Sequence, residues 1–251
     1  MANFSFGYNF VSGTDATSSV DSAYPLSNIA VYDHLKWQWR SLVSTQVTIT
    51  RDFGTAQTLN AVMLNDVNFA SVYIEGSANN STWPFSQSFT VSKDERVQRY
   101  KLYAALTGFN YRYLRIRMPA QTPTDGLTVF RMGTLVCLNT VLTMSENPDY
   151  PYDYSADEKM KTTEFESGGY EDINLGDIYW EGSFGFKTYA QTNEADFWTL
   201  NSLKKNAFLV FYENNADTSK AYLCKRRTAI SVSWTLPQYS DIQTLKFREA
   251  I

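Results

Sequence analysis

Apolar and polar residues alternate with a period of two at three places in the first half of the chain. Val47 and Ile49 alternate with Thr48 and Thr50, Val72 and Ile74 with Tyr73 and Glu75, and Leu114, Ile116 and Met118 with Arg115 and Arg117. One apolar and one polar face at that period predict half-buried antiparallel strands. Asp52-Phe53-Gly54, Glu75-Gly76-Ser77 and Asp125-Gly126 supply the residues of turns between them, because glycine accepts positive φ and aspartate bonds its own backbone. Short strands with regular turns predict a sandwich.

After Leu138 the pattern changes. Ser145–Phe165 carries Pro148, Pro151 and many charges without clean alternation, which predicts an extended linker. Within it Tyr150, Tyr152 and Tyr154 take alternate positions around Pro151, either as aromatic contacts with a neighbouring subunit or as side chains lying on their own domain. Strands resume at Ile178–Glu181, Ser183–Tyr189, Ala207–Glu213, Lys220–Lys225 and Ile230–Leu236, and Leu245–Ile251 is suited to an edge strand. One helix, about 194–205, interrupts them. Asn193 can cap it, Glu194 and Asp196 suit its positive end, Phe197, Leu200 and Leu203 recur at threes, and Lys204 and Lys205 suit its other end. The fold class is therefore all-β with one short helix, divided into residues 1–140 and 141–251.

The first half resembles the discoidin domains, a galactose-binding-like jelly-roll sandwich. Tyr24, Pro25, Asn28, Asp33, Trp39 and Ser41 fit the start of that family's pattern. The resemblance implies that Trp39 anchors the core and that loops at one end of the sandwich carry ligands. Extracellular members usually close the domain with a disulfide, whereas Cys137 has no cysteine before it. The second half looks like bacteriophage tail-tube and distal-tail domains. That likeness rests on the charged segment with Gly168-Gly169, on strands around a helix holding Phe197-Trp198, on the strand Phe208–Glu213, and on the closing Phe247–Ala250.

Composition narrows the classes. Hydrophobic residues make up 43% of 251, enough for a sizeable core. A formal net charge of −4 argues against sequence-independent nucleic-acid binding, and Lys225-Arg226-Arg227 is the only basic run. The opening residues lack the charged and apolar regions of a secretory signal, and no stretch is long and apolar enough to insert in a membrane. Cys137 and Cys224 are expected as free buried thiols.

Catalysis finds little to build on. His34 is the only histidine, neither cysteine sits in a CxxC, and no HExxH, P-loop or GxGxxG occurs. Glu164, Glu166, Glu171 and Asp172 are the densest carboxylates and suit a solvated loop better than a glycosidase pair. Asp15, Asp21 and Asp33 are the acidic residues at hand for a calcium ion, but spacing alone does not make them converge. The expectation is a protein that is not an enzyme and has no cofactor and no assigned metal.

Together the resemblances imply a structural protein of a long-tailed phage virion, made in the host cytoplasm. It would form a ring, hexameric rather than trimeric, that joins the tail tube to the adsorption apparatus with tube, hub and tape-measure proteins as neighbours. Tyr150, Tyr152, Tyr154 and Phe165, in a clasp segment over about 145–170, are the candidate contacts between subunits. The alternative is a lectin-like module without enzymatic activity, meeting a host surface glycan through Tyr32, Trp37 and Arg40. Aromatic faces stack on sugar CH groups and guanidinium fixes hydroxyls. Trp83 and Asn79-Asn80 read instead as a packing residue and a turn.

Overall fold

The computed structural model describes residues 3–32, 37–148, 153–157, 160–164, 170–174, 178–190, 193–203, 207–213, 217–229, 232–236 and 239–249. Asp33, His34, Tyr150, Tyr152, Phe165, Glu166, Gly168, Gly169, Lys204 and Lys205 lie outside them, and Tyr154 is described in its backbone only. Among the described residues the chain is nearly all-β with one α-helix. It forms two compact units. The first takes Met1–Glu95, Arg99–Met144 and Leu209–Tyr222, and the second takes Arg96–Gln98, Ser145–Phe208 and Leu223–Ile251.

The first unit is a curled antiparallel sheet. Its strands are β1 (Ser5–Phe10), β2 (Thr14–Thr17), β3 (Trp39–Arg40), β4 (Val47–Val67), β5 (Ser71–Ser77), β6 (Phe85–Thr90), β7 (Ser92–Asp94), β8 (Arg99–Met118) and β9 (Arg131–Thr143). Neighbouring strands run β1-β9-β4-β8-β5-β6, while β2 pairs with β4, β3 with β9 and β7 with β8. On the far side of β1, Ser5, Phe6 and Gly7 register with Tyr212, Phe211 and Val210.

β4 and β8 are long enough to serve both halves of the sandwich. The first part of β4 pairs with β2 and with Tyr113–Met118 of β8; the last part pairs with β9 and with Tyr100–Ala105. Register shifts between Asp52 and Gln57 mark the bend, where Gly54 sits at φ +78. The inward residues of both parts meet in one core, with Val47, Ile49, Leu114 and Ile116 from one side and Val62, Leu64, Leu102 and Leu135 from the other. Trp39 is fully buried in it. Tyr103 stacks on Tyr212 with centroids 4.2 Å apart, and its backbone N–H donates to Thr218 O.

Two turns expected from sequence are strand instead. Asp52-Phe53-Gly54 is a bulge inside β4, where glycine's positive φ bends the strand without ending it. Glu75-Gly76-Ser77 ends β5, and Gly76 is there for close packing, since a Cβ on it would sit 2.6 Å from the Tyr111 ring. The reversal follows at Asn79 and Asn80, where Asn79 Oδ1 accepts from the backbone of Ser81 and Thr82 and Asn80 takes φ 60. At Asp125-Gly126 the expected turn forms, with Leu127 N–H donating to Asp125 Oδ1.

In the second unit, strand Tyr179–Ala190 lies between Asp153–Asp157 and Tyr239–Glu249, and the latter also pairs with Val232–Leu236. Met160–Glu164 and Tyr170–Asn174 form a separate two-stranded hairpin. The helix spans Ala195–Ser202, shorter than the sequence suggests, and Leu203 is already extended. Asn193 does not cap it, because the helix starts at Ala195 with Glu194 in the cap position, and the Asn193 side-chain amide donates to Glu146 Oε1. At the other end the cation comes from a distant strand. Arg226 Nη1 donates to Asn201 Oδ1 and Nη2 to the Leu203 carbonyl, satisfying a group that the helix itself leaves open. Phe197 packs edge-on against Phe186 with centroids 5.0 Å apart.

Candidate functional site

Strand register sorts the first unit's side chains into an inner and an outer set. Thr50 lies opposite Ala16 on β2 and Arg115 on β8, and Arg115 lies opposite Glu75 on β5. Every second residue therefore shares the outer face of these four strands. Thr48, Thr50 and Asp52 come from β4, Tyr113, Arg115 and Arg117 from β8, and Tyr73 and Glu75 from β5. No aliphatic side chain larger than alanine stands at these positions.

One end of this face is a shallow groove of about 570 Å³. Its floor is hydroxyl, from Thr14, Thr48 and Thr50, and its rim carries Asp52, Asn80 and Tyr113. Asp52 is held by a bidentate pair, accepting from Arg112 Nε and Nη2 at 2.8 Å each, and by the Gly54 N–H at 2.7 Å. The Arg112 bonds, then the Gly54 bond, keep its carboxyl at a pKa of about 2. The Arg112 guanidinium also lies 4.9 Å from the Tyr113 ring centre.

At the other end the face becomes a ladder of cations on rings. Arg115 sits 3.9 Å above Trp83, and Arg117 3.9 Å above Tyr73. Glu75 lies between the two arginines. Its Oε2 accepts from Arg115 Nε at 2.6 Å, and its Oε1 from Arg117 Nε and Nη2 at 3.1 and 3.0 Å. Burial raises the Glu75 pKa, but the bonds from Arg117 and Arg115 outweigh it and leave it lowered. Trp83, read from sequence as a packing residue, is half-buried beneath Arg115.

The residues proposed from sequence for glycan contact are engaged with different neighbours. Tyr32 packs edge-on against Phe10, and burial pushes its phenol up while the Arg51 charge pulls it down. Arg40 lies 3.8 Å above the Tyr24 ring. Trp37 is exposed. Of the clasp residues, Tyr150, Tyr152 and Phe165 are outside the described residues. The hydroxyl floor escaped sequence reading because threonine in a strand is also the ordinary outward residue of β structure. The signal that could have found it was the polar partner of each apolar position already counted.

A second ionic cluster in this unit has its carboxylate and one of its two lysines sealed from solvent. Asp94 pairs with Lys101 Nζ at 3.2 Å, and both side chains have no exposed surface. Lys220 Nζ donates to Asp94 Oδ1, the Tyr222 hydroxyl donates to Oδ2 at 2.7 Å, and Lys101 lies 3.8 Å above the Tyr222 ring. Burial alone would raise the Asp94 pKa, yet Lys101, Lys220 and Tyr222 hold it at about 2.

Elsewhere the acidic residues are spoken for or apart. Asp15 is paired through both oxygens with Arg51, and Asp21 accepts from the Ala23 N–H. Among the described residues no three His, Cys, Asp or Glu side chains gather as a metal site would require. Glu164, Glu171 and Asp172 are on the separate hairpin, where Glu171 lies opposite Thr163 and Asp172 opposite Thr162. Cys137 and Cys224 are buried thiols. Burial pushes the Cys137 thiol up despite Arg51 Nη1 at 3.4 Å from its sulfur. No described helix is long and apolar enough to cross a membrane.

No protein-family model matches this sequence, and no curated protein matches it. Among solved structures, the lectin domain of lectinolysin complexed with Lewis B antigen is 12% identical, covering 51% of this chain and 93% of its own at a TM-score of 0.40. Chitosan-binding module 1 from the chitosanase/glucanase of Paenibacillus sp. IK-5 is 18% identical, covering 52% and 98% at 0.41. The module CBM32-3 from a family 31 glycoside hydrolase of Clostridium perfringens is 18% identical, covering 51% and 90% at 0.38.

Proposed function

We propose that the groove on the outer face of β2, β4 and β8 binds carbohydrate and that the protein is a binding protein without enzymatic activity. The observation that carries this is the groove's lining. A floor of threonine hydroxyls, an Asp52–Arg112 couple that offers acceptor and donor side by side, and the ring of Tyr113 match the alternating hydroxyls and CH faces of a sugar. Hydrolysis is disfavoured there. A glycosidase needs two carboxyls with one protonated, whereas Asp52 is the only carboxylate among the lining residues and Arg112 keeps it ionised.

Binding of neutral oligosaccharides by the full chain, followed by calorimetry, tests this. Thr48→Val with Thr50→Val keeps the β-branched shape and bulk of two half-buried strand positions and removes the floor's hydroxyls. Affinity should fall about tenfold or more, as expected when about 1.4 kcal/mol of hydrogen bonding is lost. Unchanged affinity in the variant, or no sugar bound by the parent chain, would remove the groove assignment.

A second reading has its own observation. The hairpin of Met160–Glu164 and Tyr170–Asn174 pairs with no other strand among the described residues, and it falls within and just beyond the segment expected to clasp a neighbour. An isolated two-stranded ribbon is marginal in water, and its open edges suit strand pairing with another chain. This favours a virion role as a ring-forming distal tail protein that touches tube, hub and tape-measure proteins, with six copies preferred over three. Light scattering across a concentration series decides it. A sixfold mass supports the ring, and a chain that stays monomeric at every concentration removes self-assembly.

A further inference from the structure

The ladder beyond the groove is built differently from its floor, and its chemistry points to a charged ligand. Glu75 accepts from one N–H of Arg115 and two of Arg117, out of the five that each guanidinium carries. Both arginine side chains keep 23% exposure, so their remaining N–H groups can reach a molecule laid on the face. Stacking on Trp83 and Tyr73 fixes both planes in advance, which lowers the ordering cost of using them. With Arg112, Arg115 and Arg117 set against Asp52 and Glu75, this face is cationic on a chain whose formal net charge is −4.

We infer that this face is selective for an acidic polysaccharide, with the hydroxyls of one sugar on the threonine floor and the carboxylate of a neighbouring uronic acid on Arg115 and Arg117. The inference rests on the carbohydrate-binding reading given above. Carboxylate rather than sulfate is favoured because the two guanidinium groups are already arranged around one, that of Glu75. A planar carboxylate matches the guanidinium fork through paired parallel hydrogen bonds.

The test compares polygalacturonate, dextran sulfate and neutral dextran on the full chain, beside Arg115→Gln with Arg117→Gln. The expected result is polyuronate binding at least about tenfold tighter than neutral glucan, lost in the double variant while neutral binding changes less than about twofold. Equal binding of polyuronate and neutral glucan, with the variant unaffected, overturns the inference and leaves the carbohydrate reading standing. Preference for dextran sulfate over polyuronate overturns the carboxylate assignment. Failure of all three to bind removes both readings. If circular dichroism shows the double variant unfolded, Arg115→Lys with Arg117→Lys replaces it. Lysine keeps the charge but not the fork, so polyuronate affinity should still drop several-fold, and full retention counts against the inference.

Discussion

The first unit holds two ionic clusters built to the same plan. In each, one carboxylate sits between two cations and an aromatic ring lies under at least one of them: Asp94 with Lys101, Lys220 and Tyr222, and Glu75 with Arg115, Arg117, Trp83 and Tyr73. Asp94 and Lys101 are cut off from water, whereas Arg115 and Arg117 are part-exposed. A sealed cluster must satisfy its charges internally, so its energy goes into holding distant segments together. An open one retains donors for something else. Lysine suits the first as a compact charge, and arginine suits the second because its fork stays usable from the side.

The sharpest way to break the contrast is to remove the segment that closes the sealed cluster. A chain cut after Met144 lacks Lys220 and Tyr222, and β1 loses its register partners Val210, Phe211 and Tyr212. It should show no cooperative unfolding transition by circular dichroism, and a sharp transition would mean that the sandwich stands without Leu209–Tyr222. Next comes a paired substitution. Asp94→Ala strands Lys101 in the core and should cost about 3–5 kcal/mol in urea denaturation. Glu75→Gln keeps an acceptor for two arginines that water still reaches and should cost less, about 1–2 kcal/mol. Equal losses would erase the distinction between the clusters.

Acid gives a smaller effect than removing Asp94 outright. Asp94 has a folded pKa of about 2, below its ordinary value near 3.8, so the folded state prefers the ionised form. Its contribution is therefore complete above about pH 4 and is lost as pH falls toward 2, a total on the order of 2 kcal/mol. Urea midpoints measured from pH 5 to 2 should drop over that window, and less so in Asp94→Asn.

Much of this scaffold can be read from the chain, because period-two alternation at Val47–Thr50, Val72–Glu75 and Leu114–Met118 records which face is buried. Trp39 likewise takes the core place that the discoidin resemblance gives it. What cannot be read is what depends on pairing at a distance. Nothing local in Phe208–Tyr212 says that it lies beside β1, and nothing near Thr50 says that Arg115 lies opposite. The site suffers most from this. Tyr32, Trp37 and Arg40 stand out in a loop-like stretch, whereas the threonines and stacked arginines become a surface only once four strands are in register.

The position of β1 bears on how the protein is made. It lies between β9 and the strand Phe208–Tyr212, so one of its edges stays open until residues some two hundred positions later have left the ribosome. At ~5–20 residues per second that wait is on the order of 10–40 s, during which an apolar strand edge is exposed to the cell. Chaperone dependence and sensitivity to slow translation should therefore gather in the interval between Thr143 and Tyr212, and not in the sandwich that precedes it.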